Sequence, residues 1–413
     1  MRLHGKTVVV GVSGGIACYK ACEVVRLLVT AGARVRVVMT AAAQRFVTPL
    51  TFQTLAGQPV ATDTFDLTQE SEIGHIRLAD EADAIAIAPA TANVIAKLAT
   101  GLADDLLTTV LLVARAPVVL APAMNVHMWE HPTVQENLAR LAARGAHVVA
   151  PTSGWLACGY EGTGRLAEPD DIAEEILRVL APQDLAGERV LVSAGPTQEP
   201  IDPIRYLSNR SSGKMGCAIA RVARRRGAEV TLVAGPTAVP LPPGVRTVPV
   251  TTADEMARSV EAAFPHATTV VMAAAVADYR PSRTLDQKLK KDGRPFRLEL
   301  EPNPDILRRL AARKGRRLLV GFAAETRDVV AEARRKLAAK RLDLIVGNDV
   351  TALGAAVGGD TNVVHLIDAS GHEEALPVLS KEEVAERILD WVVAHRRLRR
   401  IAARRSGGSP RGG

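Results

Sequence analysis

The sequence places chemistry-bearing residues at the ends of its apolar runs. Gly11-Val12-Ser13-Gly14-Gly15-Ile16 follows a β-branched run and opens a helical stretch. Glycines there let a ligand approach the backbone, and the N–H groups of a helix start favour phosphate. Ser13 adds a hydroxyl. Ala88-Pro89-Ala90-Thr91-Ala92-Asn93 and Ala121-Pro122-Ala123-Met124-Asn125 follow two further apolar runs. Small and polar residues at such strand ends line the ligand crevice of an open α/β sheet. The stretch Pro151–Arg165 holds Gly154, Gly159, Gly162 and Gly164 around Cys158. A loop so rich in glycine reads as a mobile flap that carries a thiol over a bound substrate. Cys18 and Cys22, on the first helix, read as packing. His75 lies near a helix start with acidic neighbours, where it is either structural or a base.

The ligand of the glycine turn follows from what is missing. A nicotinamide dinucleotide needs an acid at the end of the second strand to hold its ribose hydroxyls. That strand ends Val37-Val38-Met39-Thr40, without a carboxylate, and the glycine spacing is not GxGxxG. A mononucleotide fits better, and FMN is the common one. Two other readings stay open on these residues. One is a pyridine-nucleotide oxidoreductase, opposed by Thr40. The other is a non-catalytic flavin-binding scaffold, opposed by Cys158 and Asn125 together.

Positioning these residues takes two α/β domains. Strands are expected at 6–10, 34–39, 84–88, 117–121 and 147–150, with helices at 91–98, 102–113 and 133–144 between them. Strands alternating with helices predict a doubly wound, mostly parallel sheet. The pattern breaks over residues 182–188, expected to be a linker. It restarts with strands at 189–194, 229–234, 269–274, 317–321 and 344–347 and helices at 214–226 and 328–340. Asp292-Gly293, flanked by alternating residues from Lys288 to Leu300, predicts an antiparallel hairpin arm. The expected division is 1–181, linker 182–188, 189–395, and a tail 396–413 after a last helix at 381–393.

Composition narrows the rest. The 413 residues carry a formal charge of +7, with 47% hydrophobic and 23% charged residues, an ordinary globular balance. Seven arginines and no acid lie between Arg396 and Gly413, so the basic excess belongs to a tail expected to be disordered. No nucleic-acid partner is expected. Four scattered cysteines suit a reducing cytoplasm, not a disulfide framework. The N-terminus has no apolar signal core, and no apolar run is long enough to span a membrane.

The first half resembles the flavin-dependent cysteine decarboxylases. The resemblance rests on Gly11-Val12-Ser13-Gly14-Gly15-Ile16-Ala17, His75-Ile76-Arg77-Leu78-Ala79, Ala88–Asn93, Pro122-Ala123-Met124-Asn125 and Leu156-Ala157-Cys158-Gly159. The second half resembles phosphopantothenate–cysteine ligase through Gly195-Pro196-Thr197-Gln198-Glu199, Ile201-Asp202-Pro203-Ile204-Arg205, Asn209-Arg210-Ser211-Ser212-Gly213 and Ala274-Ala275-Val276-Ala277-Asp278-Tyr279. Lys288-Leu289-Lys290-Lys291, Asn303-Pro304-Asp305-Ile306, Val320–Thr326 and Gly347-Asn348-Asp349 complete the set. Together they are similar to the bacterial bifunctional enzyme family of coenzyme A synthesis, from about residue 5 to 394.

The resemblance implies roles. In the first domain Ser13, Gly14, Gly15, Ile16, Thr40, Thr91, Ala92 and Asn93 would hold FMN. Cys158 would be the proton donor, His75 would lie near flavin and thiol, and Asn125 would hold the substrate carboxylate. The reaction would be decarboxylation of 4′-phosphopantothenoylcysteine, through oxidation of the cysteine carbon–sulfur unit, to 4′-phosphopantetheine. In the second domain CTP would activate 4′-phosphopantothenate as an acyl-cytidylate for attack by cysteine. Lys288, Lys336 and Lys340 would meet its phosphates with Mg²⁺, and Asp278 the ribose or metal. Ala274, Asn303, Pro304, Asp305, Ile306 and Phe322 would frame the nucleotide, and Asn209 the acyl group. Without the resemblance Lys336 and Lys340 read as a solvated helix face. The metal ligands stay unassigned. The implied partners are small-molecule substrates, and the implied assembly is a homo-oligomer.

Overall fold

The computed structural model describes residues 3–65, 74–155, 159–291, 293, 295–352 and 358–406, with side chains through Leu398. The chain divides into two compact units, Met1–Ala181 and Pro182–Gly413.

The first unit is built on β1 (Thr7–Val12), β2 (Arg34–Met39), β3 (Ala84–Ala90), β4 (Val118–Pro122) and β5 (His147–Val148). All pair in parallel, in the order β2-β1-β3-β4-β5. Its helices are α1 (Cys18–Thr30), α2 (Pro49–Ala56), α3 (Gly74–Asp80), α4 (Ala92–Thr100), α5 (Leu106–Val113), α6 (Val126–Glu130), α7 (Pro132–Ala143) and α8 (Pro169–Leu180). Every residue of β3 is buried, as expected for a parallel strand covered on both faces. Alternate β1 side chains part company. Val8 and Val10 join α1 and α8 through Leu28 and Ile172, while Val9 joins α4, α5 and α7 through Ile95, Leu107 and Leu138. Asp105 and Thr108 close a reciprocal capping box on α5, and left-handed glycines, Gly57 and Gly101, end α2 and α4. After β5 come β6 (Thr152–Trp155) and β7 (Glu161–Arg165), an antiparallel pair.

In the second unit the strands are β8 (Arg189–Ala194), β9 (Gln198–Pro200), β10 (Tyr206–Ser208), β11 (Glu229–Ala234), β12 (Arg246–Pro249), β13 (Thr269–Met272), β14 (Tyr279–Pro281) and β15 (Leu300–Pro302). They continue with β16 (Leu318–Glu325), β17 (Leu344–Asp349), β18 (Thr361–Asn362), β19 (Val364–Asp368), β20 (Glu373–Ala375) and β21 (Leu379–Ser380). The main sheet runs β12-β11-β8-β13-β16-β17-β19-β20, with its last two strands antiparallel. Its helices are α9 (Lys214–Arg225), α10 (Ala253–Ala263), α11 (Ile306–Ala312), α12 (Val329–Ala339) and α13 (Lys381–Ser406). Val190 and Val192 of β8 pack with α9 and α13, and Leu191 between them packs with α10, α11 and α12.

Three expectations fail on packing. Residues 182–188 are no loose linker. Leu185 is fully buried, its N–H donates to Arg226 O at 2.9 Å, and Asp184 pairs with Arg226 at 2.7 Å. One apolar anchor in a polar run was enough to dock it. The hairpin expected across Asp292-Gly293 falls partly outside the described residues, since Asp292 and Arg294 lie outside them. No described residue from 282 to 299 is in a strand; the base is pinned instead by β14 on β15. A two-stranded ribbon without a covered apolar face is marginal in water. The tail is not disordered from Arg396: α13 continues to Ser406. Arginine and alanine are good helix formers, and Arg396 donates to the Thr268 carbonyl and lies 3.2 Å from Glu188.

Candidate functional site

Each unit gathers its motif residues at the carboxyl ends of its strands. In the first, β1 leads through α1 to β2 on one side, and β3 lies on the other side of β1. The crossover direction reverses there, which opens a crevice between β1 and β3, the mononucleotide position of this strand order. The crevice is stitched rather than loose. Ser13 is buried, and its Oγ donates to Pro89 O at 2.7 Å and accepts from Thr91 N at 3.1 Å. The hydroxyl expected to meet a phosphate therefore fastens the β1 loop to the β3 loop. Thr40 Oγ1 accepts from Ala43 N at 3.2 Å and shapes the neighbouring turn. A Cβ on Gly14 would sit 2.4 Å from the Ala42 Cβ, so only glycine fits against that turn. Among the described residues the N–H groups of Gly14, Gly15 and Ile16 donate to no protein acceptor. Thr91 starts α4 without a side-chain cap, leaving Ala92 and Asn93 in an uncapped first turn. Unpaired N–H groups at two helix starts fit an anionic mononucleotide such as FMN.

Asn125 caps α6, its Oδ1 accepting from His127 N at 2.9 Å, which fixes the amide. Strand β7 presses on the same loop. Met124 N donates to Gly164 O at 2.9 Å, and a Cβ on Gly164 would overlap the Met124 carbonyl oxygen at 2.3 Å. Gly164, and Gly162 against Val126, thus serve close packing of the hairpin, whereas Gly159 has open space around it. Cys158, with Leu156 and Ala157, lies outside the described residues. His75 is half-buried in the first turn of α3, with no hydrogen bond to the Ser13–Asn93 cluster among the described residues. Cys18 is buried, its Sγ donating to Ser13 O at 3.1 Å; burial pushes its thiol above the ordinary range.

In the second unit the first three strands run outward as β8, β11 and β12, and β13 starts the other half. The switch point between β8 and β13 opens onto a cavity of about 590 Å³. Asn209, Ala274, Asp278, Asn303, Pro304, Asp305, Ile306, Phe322, Lys336 and Lys340 all line it. Lys288 does not: it is exposed, on a segment whose next residue is held by Asp202 and Arg205. The loop after β13 is held in place by Ser193 Oγ, which accepts Ala274 N at 3.1 Å, and Thr197 Oγ1, which accepts Ala277 N at 3.0 Å. Asn209 Nδ2 donates to Val276 O at 3.0 Å, so its amino group steadies this loop.

Lys336 of α12 and Lys340, which caps its C-terminus, are not a solvated face. Lys336 pairs with Glu325 at 2.6 Å and Lys340 with Asp305 at 3.0 Å, and Lys336, Lys340 and Asp305 line the cavity. Asp278 is exposed in the cavity, and its carboxylate has no protein partner among the described residues. Asn303 Nδ2 donates to Ala277 O at 2.9 Å, while its Oδ1 is buried without a partner. An orphaned acceptor calls for a ligand N–H or O–H. Sequence reasoning missed Lys214 and Lys381, which also line the cavity. The signal was Ser211-Ser212-Gly213-Lys214, a glycine-led helix start after a polar loop; Lys381 gave none.

The comparisons agree with this division. The Flavoprotein family matches residues 2–181, and the DNA/pantothenate metabolism flavoprotein C-terminal domain matches residues 185–395. The coenzyme A biosynthesis bifunctional protein CoaBC of Bacillus subtilis (strain 168) is 49% identical over 396 residues, 95% of this chain and 98% of that protein. The CoaBC of Escherichia coli (strain K12) is 45% identical over 398 residues, again 95% and 98%. A solved C-terminal domain of CoaBC is 42% identical with a TM-score of 0.45, covering 52% of this chain and 97% of its own. The FMN-dependent cysteine decarboxylase SpaF is 31% identical with a TM-score of 0.38, covering 43% and 99%. No helix among the described residues is long and apolar enough to cross a membrane. With both halves matched in order and close relatives aligned from end to end, the chain belongs to the family of bifunctional coenzyme A biosynthesis proteins.

Proposed function

We propose that the chain catalyses two consecutive steps of coenzyme A synthesis. The second unit ligates cysteine to 4′-phosphopantothenate at the expense of CTP, and the first decarboxylates the resulting 4′-phosphopantothenoylcysteine to 4′-phosphopantetheine with FMN. The observation that carries this reading is the match of both units, in order, in a chain aligned along its length with relatives named as bifunctional coenzyme A biosynthesis proteins. Incubating the purified protein with phosphopantothenate, cysteine, CTP and Mg²⁺, followed by mass analysis, tests it. Phosphopantetheine is expected; phosphopantothenoylcysteine as end product would leave only the ligase, and unchanged phosphopantothenate would sink both.

In the first unit the N–H groups of Gly14, Gly15 and Ile16 hold the FMN phosphate, with Ser13 locking the loops that present them. Ala92 and Asn93 present the first turn of α4, and Thr40 shapes the facing turn. Bound FMN supplies the electron sink that loss of a carboxylate from an amino-acyl carbon requires. Asn125 holds the departing carboxylate with neutral donors. A salt bridge would stabilise the charged ground state more than the transition state. Cys158 gives the final proton, and His75 sits beside the reacting thiol.

In the second unit Asn303, Pro304, Asp305, Ile306, Phe322 and Ala274 frame the nucleotide. Lys336 and Lys340 meet it with their charges, and Asp278 takes a ribose hydroxyl or the Mg²⁺ that accompanies CTP. Mg²⁺ needs few protein carboxylates when phosphates complete its shell, so one unpartnered Asp278 fits. Asn209 orients the acyl carbonyl for the cysteine amine. Lys288 reaches the phosphates only when its segment moves over the cavity. The working assembly is a homo-oligomer.

A further inference from the structure

Lys288 lies outside the cavity, yet its stretch of chain is not loose. It is held on both sides by the strand end and turn at the tip of the β9–β10 hairpin, residues 200–205. Before Lys288, Thr284 Oγ1 donates to Pro200 O at 3.1 Å and Leu285 N donates to Ile201 O at 2.9 Å. After it, both backbone groups of Leu289 are taken by side chains. The Leu289 N–H donates to Asp202 Oδ2 at 3.2 Å, and the Leu289 carbonyl accepts from Arg205 Nη2 at 2.9 Å. The Asp202 side chain is fully buried, and Arg205 Nη1 lies 3.5 Å from its Oδ2. The other oxygen, Oδ1, accepts from Ile204 N and from Arg205 N, each at 2.8 Å. The two carboxylate oxygens thus have separate tasks: Oδ1 shapes the turn, and Oδ2 fastens the Lys288 segment to it. A buried carboxylate is costly unless donors fill its acceptor sites. Here one donor comes from a segment 87 residues along the chain. Directly after β10, at the base of the same hairpin, stands Asn209, which lines the cavity.

We infer that Asp202, helped by Arg205, is a positioning residue of the ligase: it clamps Leu289 so that the Lys288 segment and the hairpin ending at Asn209 act as one body. In this role neither Asp202 nor Arg205 touches a reactant. A lysine is a point charge on a flexible stem, so what it adds to a reaction depends on how well its backbone is held. The clamp supplies that hold one residue away. It also links the charge that acts while pyrophosphate leaves to the amide that acts while the amine attacks. The role of Lys288 rests on the ligase reading; the clamp does not.

Asp202→Asn separates the two oxygens. The remaining Oδ1 keeps the turn, while an amino group in place of Oδ2 opposes the Leu289 N–H and the Arg205 guanidinium. Two measurements on the full chain decide the matter. One is hydrogen exchange of the Leu289 amide, read by mass spectrometry from overlapping peptides. The other is formation of phosphopantothenoyl-CMP from CTP, Mg²⁺ and 4′-phosphopantothenate in quenched reactions. In the variant the exchange should speed up by about tenfold or more. Acyl-cytidylate formation should slow by about 10- to 100-fold through kcat, with the KM for CTP changed by less than about threefold. Wild-type exchange at Leu289 in the variant overturns the clamp. Fast exchange with an unchanged or raised rate of acyl-cytidylate formation, or with a loss confined to KM, overturns the positioning role. A wild-type chain that makes no acyl-cytidylate, but whose Leu289 amide is released by the substitution, keeps the clamp and defeats the ligase reading. Flavin-dependent decarboxylation in the same preparation reports that the chain is intact. If Asp202→Asn does not fold, Arg205→Met takes its place. It frees the Leu289 carbonyl from an exposed position; the same changes are expected, and wild-type values overturn the inference.

Discussion

In the first unit the loop at the switch point, residues 11–17, carries no charged side chain, and the donors it leaves idle are backbone N–H groups. In the second unit the cavity at the switch point is lined by four lysines, Lys214, Lys336, Lys340 and Lys381, three of them paired with carboxylates. Backbone donors cannot swing away, and the Ser13 latch fixes them before a ligand arrives. That suits a group that stays bound through many turnovers. A lysine with a carboxylate neighbour can trade one anion for another at modest cost, because its charge is compensated either way. That suits a reactant that must come and go. On the proposed function, two sheets of similar construction serve a resident cofactor at one switch point and a consumed nucleotide at the other.

The largest expected effect is at the flap. Cys158→Ser should still release CO2 but stall before the last proton transfer, since a hydroxyl is a far weaker acid than a thiol of pKa about 8.5. Phosphopantetheine formation should fall by about 10²- to 10⁴-fold, and a product two mass units lighter should accumulate. Normal turnover would remove Cys158 from the mechanism.

Next come the ligase half-reactions. Lys288→Gln should give no acyl-cytidylate, because the missing charge acts as pyrophosphate leaves, with rates about 10²-fold down or more. Asn209→Asp should form the intermediate and consume it slowly. Quenched-flow analysis for phosphopantothenoyl-CMP separates the two, and the reverse pattern would exchange their roles. Lys288 lies outside the cavity as described, so accumulation of the intermediate in Lys288→Gln would also show that its segment need not close.

Gly14→Ala tests the rigid side of the comparison. Its Cβ would press on Ala42 at 2.4 Å, where neither backbone can give easily. Flavin content per chain, read from absorbance after denaturation, should drop by about tenfold, while ligase activity stays at the wild-type level. Full flavin content would mean that the loop is more pliant than its packing suggests.

The smallest effect tests the exchangeable side. Lys336→Met should raise the KM for CTP by about three- to tenfold, since the group is partly exposed and already paired. Glu325→Gln should do the opposite and lower the KM by about two- to threefold, by freeing Lys336 for the nucleotide. If both substitutions weaken CTP, the pair is a scaffold, not a counter-ion in waiting.

The glycine turn, the strand ends and the parallel sheets were legible because each depends on local sequence. Apolar runs such as Ala84–Ala90 mark buried strands, and Lys214–Arg225 is bounded by Gly213 and Gly227. What stayed illegible depends on the partner a residue meets. Ser13 reads as a phosphate ligand until Pro89 and Thr91, far along the chain, take up its hydroxyl. Lys336 and Lys340 read as a wet helix face until Glu325 and Asp305 come beside them. Lys381 sits in an ordinary charged helix start, Ser380-Lys381-Glu382-Glu383, with nothing to mark the burial of its ammonium. The antiparallel edge of β19 and β20 was also missed, because short strands between turns leave little periodicity.

The docked segment 182–188 bears on where the chain can be cut. Leu185 belongs to the core of the second unit, and Asp184 neutralises a buried arginine, Arg226, that also grips Asp390 of α13. A ligase fragment begun at Arg189 would therefore start with an open hydrophobic socket and an arginine short of one counter-charge. It should express poorly and aggregate. Begun at Pro182, the same fragment keeps its plug. For anyone separating the two catalysts into independent polypeptides, seven residues that read as spacer make the difference between a soluble reagent and inclusion bodies.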